Sequence, residues 1–241
     1  MSLTMASTKS DIRSKNIQDT LPQKLDSRIY YHPLFSKIRA KQMTREEVQL
    51  ILGQYWHPIT FFPTFLATAV ANSNVINIQT YISKILFQEL GEGNPSLAHP
   101  VVYLNSMDAS GFDVEAIQNA KPLAATKALM DGFRKSLESE HSAYGFIYAT
   151  ELIDLALVSG IGQAVKDVSG NNVNHWIDIH VVQEPDHVAS VSTAITSHIS
   201  NEHQEEIVYT VNESLLLWIS FLDNLVLAAE ALTITAASKV S

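Results

Sequence analysis

The chain has 241 residues, 46 % of them hydrophobic and 17 % charged, with a formal net charge of -9 and no cysteine. That balance belongs to a globular chain long enough to bury one sizeable core, and it excludes an extended disordered protein. The missing cysteines exclude disulfides, thiolate metal sites and a cysteine nucleophile, and the acidic balance without basic runs excludes a nucleic-acid partner.

In chain order, residues 1–26 are polar and have no continuous apolar run, so they read as an N-terminal segment without a secretory signal, ahead of a single domain over 27–235. A cytoplasmic location is expected. Thr44 with Glu47 three residues later has the capping-box pattern that opens a helix through Val48, Leu52 and Tyr55. Pro58 and Pro63 are expected to kink or split that helix. The next helix is predicted over about 76–90 and stops at the Gly/Pro cluster 91–95. Others follow from His99-Pro100, over 113–120, and from Leu123 to about Leu137.

The segment from Glu140 to Val158 is predicted as an amphipathic helix, with Gly160-Ile161-Gly162 and Ser169-Gly170 bracketing a short piece before the helix that carries His180. A last helix is predicted from about Asn201 to Leu232. Its apolar stretch, 207–232, is interrupted by Glu213, Asp223 and Glu230, which argues for burial in a protein core and against a bilayer span. Periodicity near 3.6 residues and the scarcity of hairpin turns give an all-α protein, a single bundle of about eight helices.

The chemistry concentrates near the C-terminal third. His180, Glu184 and His187 are spaced i, i+4 and i+7, and at about 100° per residue they fall on one stripe of a helix. Glu151 interrupts the apolar face built by Tyr144, Tyr148, Leu155 and Val158, where a bare carboxylate is costly and needs a cation, a proton or a partner. Glu89, behind Ile82, Ile85 and Leu86, poses the same problem, with His99 just past the Gly/Pro turn. Glu89, His99, Glu151, His180, Glu184 and His187 form a nitrogen and oxygen donor set that suits two ions of iron or manganese. No pair of Glu-x-x-His motifs of the ferritin-like bundles is present at these positions. His32, before Pro33, reads as a helix cap, His57 and Tyr55 as core or pocket residues, and His141, His175, His198 and His203 as surface residues.

The pattern resembles the heme-oxygenase-like diiron oxidases and oxygenases, iron-containing redox relatives of the thiaminase-like and pyrroloquinoline-quinone-synthase-like proteins. The pieces that carry the resemblance are Glu89-Leu-Gly-Glu-Gly-Asn-Pro-Ser-Leu-Ala-His99, Tyr144-Gly-Phe-Ile-Tyr-Ala-Thr-Glu151 and His180-x-x-x-Glu184-x-x-His187. Gln54-Tyr-Trp-His-Pro-Ile-Thr-Phe-Phe-Pro63 and His32-Pro33-Leu34 resemble the family's first helices, and the likeness spans roughly residues 30 to 230.

The resemblance implies a heme-oxygenase-like bundle in which the six residues hold two iron ions, with manganese as the other candidate, and in which O2 and a small organic substrate (amino acid, amine or fatty-acyl compound) react. It also implies a homodimer. Glu184 stands where relatives commonly carry Asp, and the adjacent Pro185 is expected to interrupt the helix. Some relatives use a shorter spacing that would select Glu92, but Glu89, before the turn, is preferred. The self-modifying relatives that form p-aminobenzoate carry Lys ten residues after the mid-chain Glu, where this chain has Ile161, so that activity is not expected. The competing readings are a metal-free relative acting on thiamin-type or cofactorless chemistry, weakened by the absence of cysteine, and a non-enzymatic helical binding module in which His and Glu satisfy one another.

Overall fold

The computed structural model describes residues 28–171, 174–198 and 200–238, without the side chains at 174, 184–186, 196–198, 201–202 and 235–238. Residues 1–26 therefore lie outside the described residues. Nine α-helices and one 3-10 turn are present among the described residues, with no strand. They are α1 (Pro33–Arg39), α2 (Arg45–Asn72), α3 (Ile76–Glu89), α4 (His99–Ala109), α5 (Val114–Gln118), α6 (Ala124–Ser136), α7 (Glu140–Ser169), α8 (Asn174–His198) and α9 (Asn201–Ser238).

Local chemistry explains most of the helix ends. The Thr44 hydroxyl accepts from the Glu47 amide while the Glu47 carboxylate accepts from the Thr44 amide, closing the capping box at the start of α2. His32 caps α1 by accepting from the Leu34 amide, as its place before Pro33 suggests. After α3 the chain turns at Gly91, with φ +82°, where an added Cβ would come within 2.3 Å of the Asn94 carbonyl oxygen. Only glycine fits there. The 3-10 turn Pro95–Leu97 then delivers His99 to the first turn of α4.

Three expectations about helix continuity are corrected. Pro58 and Pro63 do not split α2, which runs unbroken over 28 residues. Each proline removes one backbone hydrogen bond, but α2 packs against α3, α7, α5, α6 and α9, and that tertiary burial outweighs the local loss. Gly160 and Gly162 do not end α7, which continues to Ser169. Gly160 serves close packing: a Cβ there would stand 2.5 Å from the Phe35 ring of α1. Nor does Pro185 break α8, whose backbone stays helical from Asn174 to His198.

The central rod is α7, which packs against α9, α8, α2, α6 and α1. One side of it meets an aromatic core in which Phe133 lies 4.3 Å from Phe146 and 5.0 Å from Phe65, ring centre to ring centre. Glu140–Ser169 and His203–Ile234 are long and apolar enough, by length and composition alone, to cross a membrane. Within the bundle, however, 67 % of the most apolar window of the first is buried, as in a core helix. The other side of α7 faces α3, α4 and α8, and there the core turns polar.

Candidate metal centre

Glu89 at the end of α3, His99 at the start of α4, Glu151 in the middle of α7, and His180 and His187 two turns apart on α8 are all buried, none more than 4 % exposed. The structure brings these five sequence-predicted donors into one region. The side chain of the sixth, Glu184, lies outside the described residues. Glu92, the alternative to Glu89, is exposed and has φ +54°.

The donors are arranged as carboxylate–imidazole pairs beside a cavity that Glu89, Glu151 and His180 reach. His187 Nδ1 lies 3.0 Å from Glu151 Oε2, and His99 Nδ1 lies 3.0 Å from Glu89 Oε2, the latter too poorly aligned for a hydrogen bond. His180 Nε2 lies 3.6 Å from Asp154 Oδ2, and the His99 and His180 rings are 4.6 Å apart between centres. Asp154 was missed in the sequence. It sits one turn after Glu151 on α7, and the Tyr55 hydroxyl donates to its other oxygen at 2.9 Å.

Behind each imidazole stands a carbonyl-type oxygen. His180 Nδ1 is 2.7 Å from the Trp176 backbone oxygen, His99 Nε2 is 3.1 Å from Gln183 Oε1, and His187 Nε2 is 3.2 Å from Gln88 Oε1. The Gln183 amide is oriented by donating to Glu92 at 3.4 Å, so Glu92 acts one layer out from the donors. A neutral imidazole has one N–H and one lone pair. With the N–H of each ring given to its carbonyl oxygen, the lone pair of each ring points at a carboxylate. In that tautomer two acceptors face one another at each pair and a proton or a metal ion fits between them, whereas in the other the ring N–H donates to the carboxylate, as His187 Nδ1 can to Glu151. An outer N–H fixed on a carbonyl is also how metal-bound histidines are oriented.

Electrostatics follows this arrangement. Burial pushes Glu89 upward, yet His99, then His180 and His187, outweigh it and hold the carboxyl below its ordinary value. Burial pushes His99 down, and Glu89 more than offsets it, so the imidazole is raised. Asp154 is raised by burial, with Glu151 and Glu89 adding to the effect and His180 opposing it. Glu151 Oε1 is buried without a hydrogen bond. A buried carboxylate oxygen left without a partner is costly.

The cavity among these groups has a volume of about 30 Å³, enough to hold at least one water molecule. Glu89, Glu151, Asp154 and His180 line one side of it, and Ile59, Phe62, Phe133 and Trp218 line the other. Pro58 of α2 also lines it, which gives that mid-helix proline a place in the site. His57, by contrast, bonds to the Ala120 carbonyl at 2.9 Å and belongs to the α2 packing.

This all-helical bundle has known counterparts in fold, and the architecture is heme-oxygenase-like. A CADD-like protein of unknown function from Nostoc punctiforme superposes with a TM-score of 0.75 at 15 % identity, covering 88 % of this chain and 97 % of that one. A domain of unknown function with a heme oxygenase-like fold from Shewanella denitrificans gives 0.74 at 15 % identity, over 93 % and 96 % of the two chains. A TenA homologue from P. horikoshii gives 0.69 at 11 %, over 87 % and 97 %. In sequence, the chain is 23 % identical to a 4-aminobenzoate synthase of Nitrosomonas europaea over 202 residues, 78 % of this chain and 77 % of that protein. Residues 49–219 match the model of the iron-containing redox enzyme family, and the chain belongs to that family.

Proposed function

We propose that this protein is a non-haem diiron oxidase or oxygenase that uses O2 to oxidise a small organic substrate, of the amino acid, amine or fatty-acyl class. Glu89, His99, Glu151, His180, Glu184 and His187 would hold two iron ions, or manganese in their place, with Asp154 as a seventh donor that the sequence pattern did not suggest. The observation that carries this reading is the set of buried imidazole nitrogens and carboxylate oxygens paired at 3.0 to 3.6 Å. The formal charges agree, since four carboxylates (Glu89, Glu151, Asp154 and Glu184) balance two divalent cations.

The chain's own share of the reaction is positioning and enclosure. Trp176, Gln183 and Gln88 fix which nitrogen of each histidine faces inward. Tyr55 holds one oxygen of Asp154 and leaves the other toward His180. The apolar wall of Ile59, Phe62, Phe133 and Trp218 shields the space from bulk water, and the space has room for a molecule the size of dioxygen or water. When bound, iron supplies the oxygen activation and electron transfer that none of these side chains can perform. Ile161, buried at the position where the p-aminobenzoate-forming relatives carry Lys, supports a reaction other than self-modification.

The test is O2 uptake by the full chain loaded anaerobically with Fe(II), against panels of amino acids, amines and fatty acids. Uptake that depends on one substrate class and disappears in Glu151→Gln supports the reading. Uptake equal in the variant and the parent, for every substrate, contradicts it.

A further inference from the structure

Outside the buried centre, one further group of metal-competent side chains converges. His141, in the first turn of α7, meets His203 and Glu206, one turn apart in the first part of α9, and one donor atom from each lies within 4.8 Å of the others. Among the described residues this is where three such atoms come so close, since the buried donors are spread in pairs beside their cavity. The two imidazole rings lie face to face, 4.0 Å apart and 6° from parallel.

Contacts around this group leave its donors unspent. His141 Nδ1 is 3.7 Å from Glu206 Oε2, and His141 Nε2 is 4.0 Å from Glu140 Oε1. Both gaps are too long for hydrogen bonds, and the first leaves room for an ion between His141 and Glu206. Glu206 is meanwhile held firmly by its other oxygen, which accepts from the Ser139 hydroxyl at 2.5 Å and the Ser142 hydroxyl at 3.0 Å. Those hydroxyls, Ser139 foremost, also keep the carboxyl below its ordinary range, so it is ionised. A ligand carboxylate braced by outer hydrogen bonds is the usual support of a metal site.

The donor types decide which ion fits. Two neutral imidazoles and a carboxylate suit an ion that makes directional bonds to nitrogen, in the class of zinc, nickel or copper, and do not suit calcium or magnesium. Drawing the donors from within 4.8 Å to the about 3.3 Å of a tetrahedral site requires the exposed His203 ring to turn out of its stack on His141, so that both ring planes meet at the ion.

We propose that His141, His203 and Glu206 form a second, surface site for one transition-metal ion, separate from the buried centre, which clips the start of α7 to the start of α9. The clip closes the corner that follows α8, the helix carrying His180 and His187. It does not depend on what the buried centre does.

The experiment titrates Zn2+ into metal-free full-length protein and its His203→Gln and His141→Asn variants, with circular dichroism as the fold control. The parent is expected to bind one more equivalent than either variant. The parent's unfolding temperature should rise with Zn2+ by more than that of the variants. Cu2+ in place of zinc should give an electron paramagnetic resonance spectrum with two coordinated imidazole nitrogens, one of them lost in His203→Gln. Glu151→Gln, which disables the buried centre, should keep the extra equivalent, so the two sites fail separately. Equal stoichiometry in parent and His203→Gln, or an extra equivalent bound more weakly than about 1 mM, would overturn the proposal.

Discussion

Two buried carboxylates, Glu47 and Glu151, are equally hidden from solvent, at 1 % and 2 % exposure, and are treated oppositely by the chain. Glu47, at the start of α2, receives the Lys37 ammonium at 2.7 Å, the Thr44 amide at 2.7 Å and the Thr233 hydroxyl at 3.0 Å. Every partner it needs is in the fold. Glu151 has His187 on one oxygen, no hydrogen bond on the other, and Asp154 and Glu89 adding negative charge nearby. The first is a structural ion pair that ties α1, α2 and α9 together. The second is the carboxylate whose charge the proposed metal ions would balance from outside the chain. Burial alone therefore does not separate the two acids, and the inventory of partners does.

That contrast breaks most visibly under paired isosteric substitutions. Glu151→Gln is expected to abolish iron binding, measured as metal per chain after gel filtration, while the metal-free protein unfolds at the same temperature or a higher one because an uncompensated buried charge is gone. Glu47→Gln should do the reverse, keeping the iron and losing about 1–3 kcal/mol of stability in urea unfolding, as expected for a partly buried charge pair. A finer test falls on the outer layer. Gln183→Leu removes the acceptor behind His99 and is expected to weaken iron binding about 10- to 100-fold with little change in the unfolding midpoint of the metal-free chain.

The smallest effect is a pH dependence. Burial raises the Glu47 carboxyl, but Lys37, the Thr44 amide and Thr233 together hold it below its ordinary 4.5. A depressed carboxyl binds protons less readily folded than unfolded, so its stabilisation is complete above 4.5 and is lost as pH falls through the folded value. The stability of the parent should therefore drop more steeply on the acid side of pH 4.5 than that of Glu47→Gln. Parallel curves would contradict the assignment of Glu47 as a structural ion pair.

Much of this was legible in the sequence, for stated reasons. Glu151 stood out because a carboxylate interrupted an apolar helical face, and His180 with His187 because helical spacing put them on one stripe. Asp154 was overlooked although it lies three residues from Glu151, since an acid beside Leu155 and Ala156 on a long helix reads as part of a solvated edge. Gln88 and Gln183 carry no charge and no periodic signal, and their role exists only once α3 and α8 are side by side. His141 and His203 read as surface residues, and His203 is exposed. Their meeting joins positions 62 residues apart, which no local pattern can reveal. The helix continuity through Pro58, Pro185 and Gly160 was equally hidden, because tertiary packing overrides local propensity there.

The most direct test of the central claim is an iron count on the full chain carrying His203→Gln, which removes the surface group from the tally, after anaerobic Fe(II) loading and gel filtration. The account predicts two iron ions per folded chain, and a fall to less than one when Glu151→Gln is added. A well-folded chain that retains no iron, or one whose iron content is unchanged by Glu151→Gln, would contradict it.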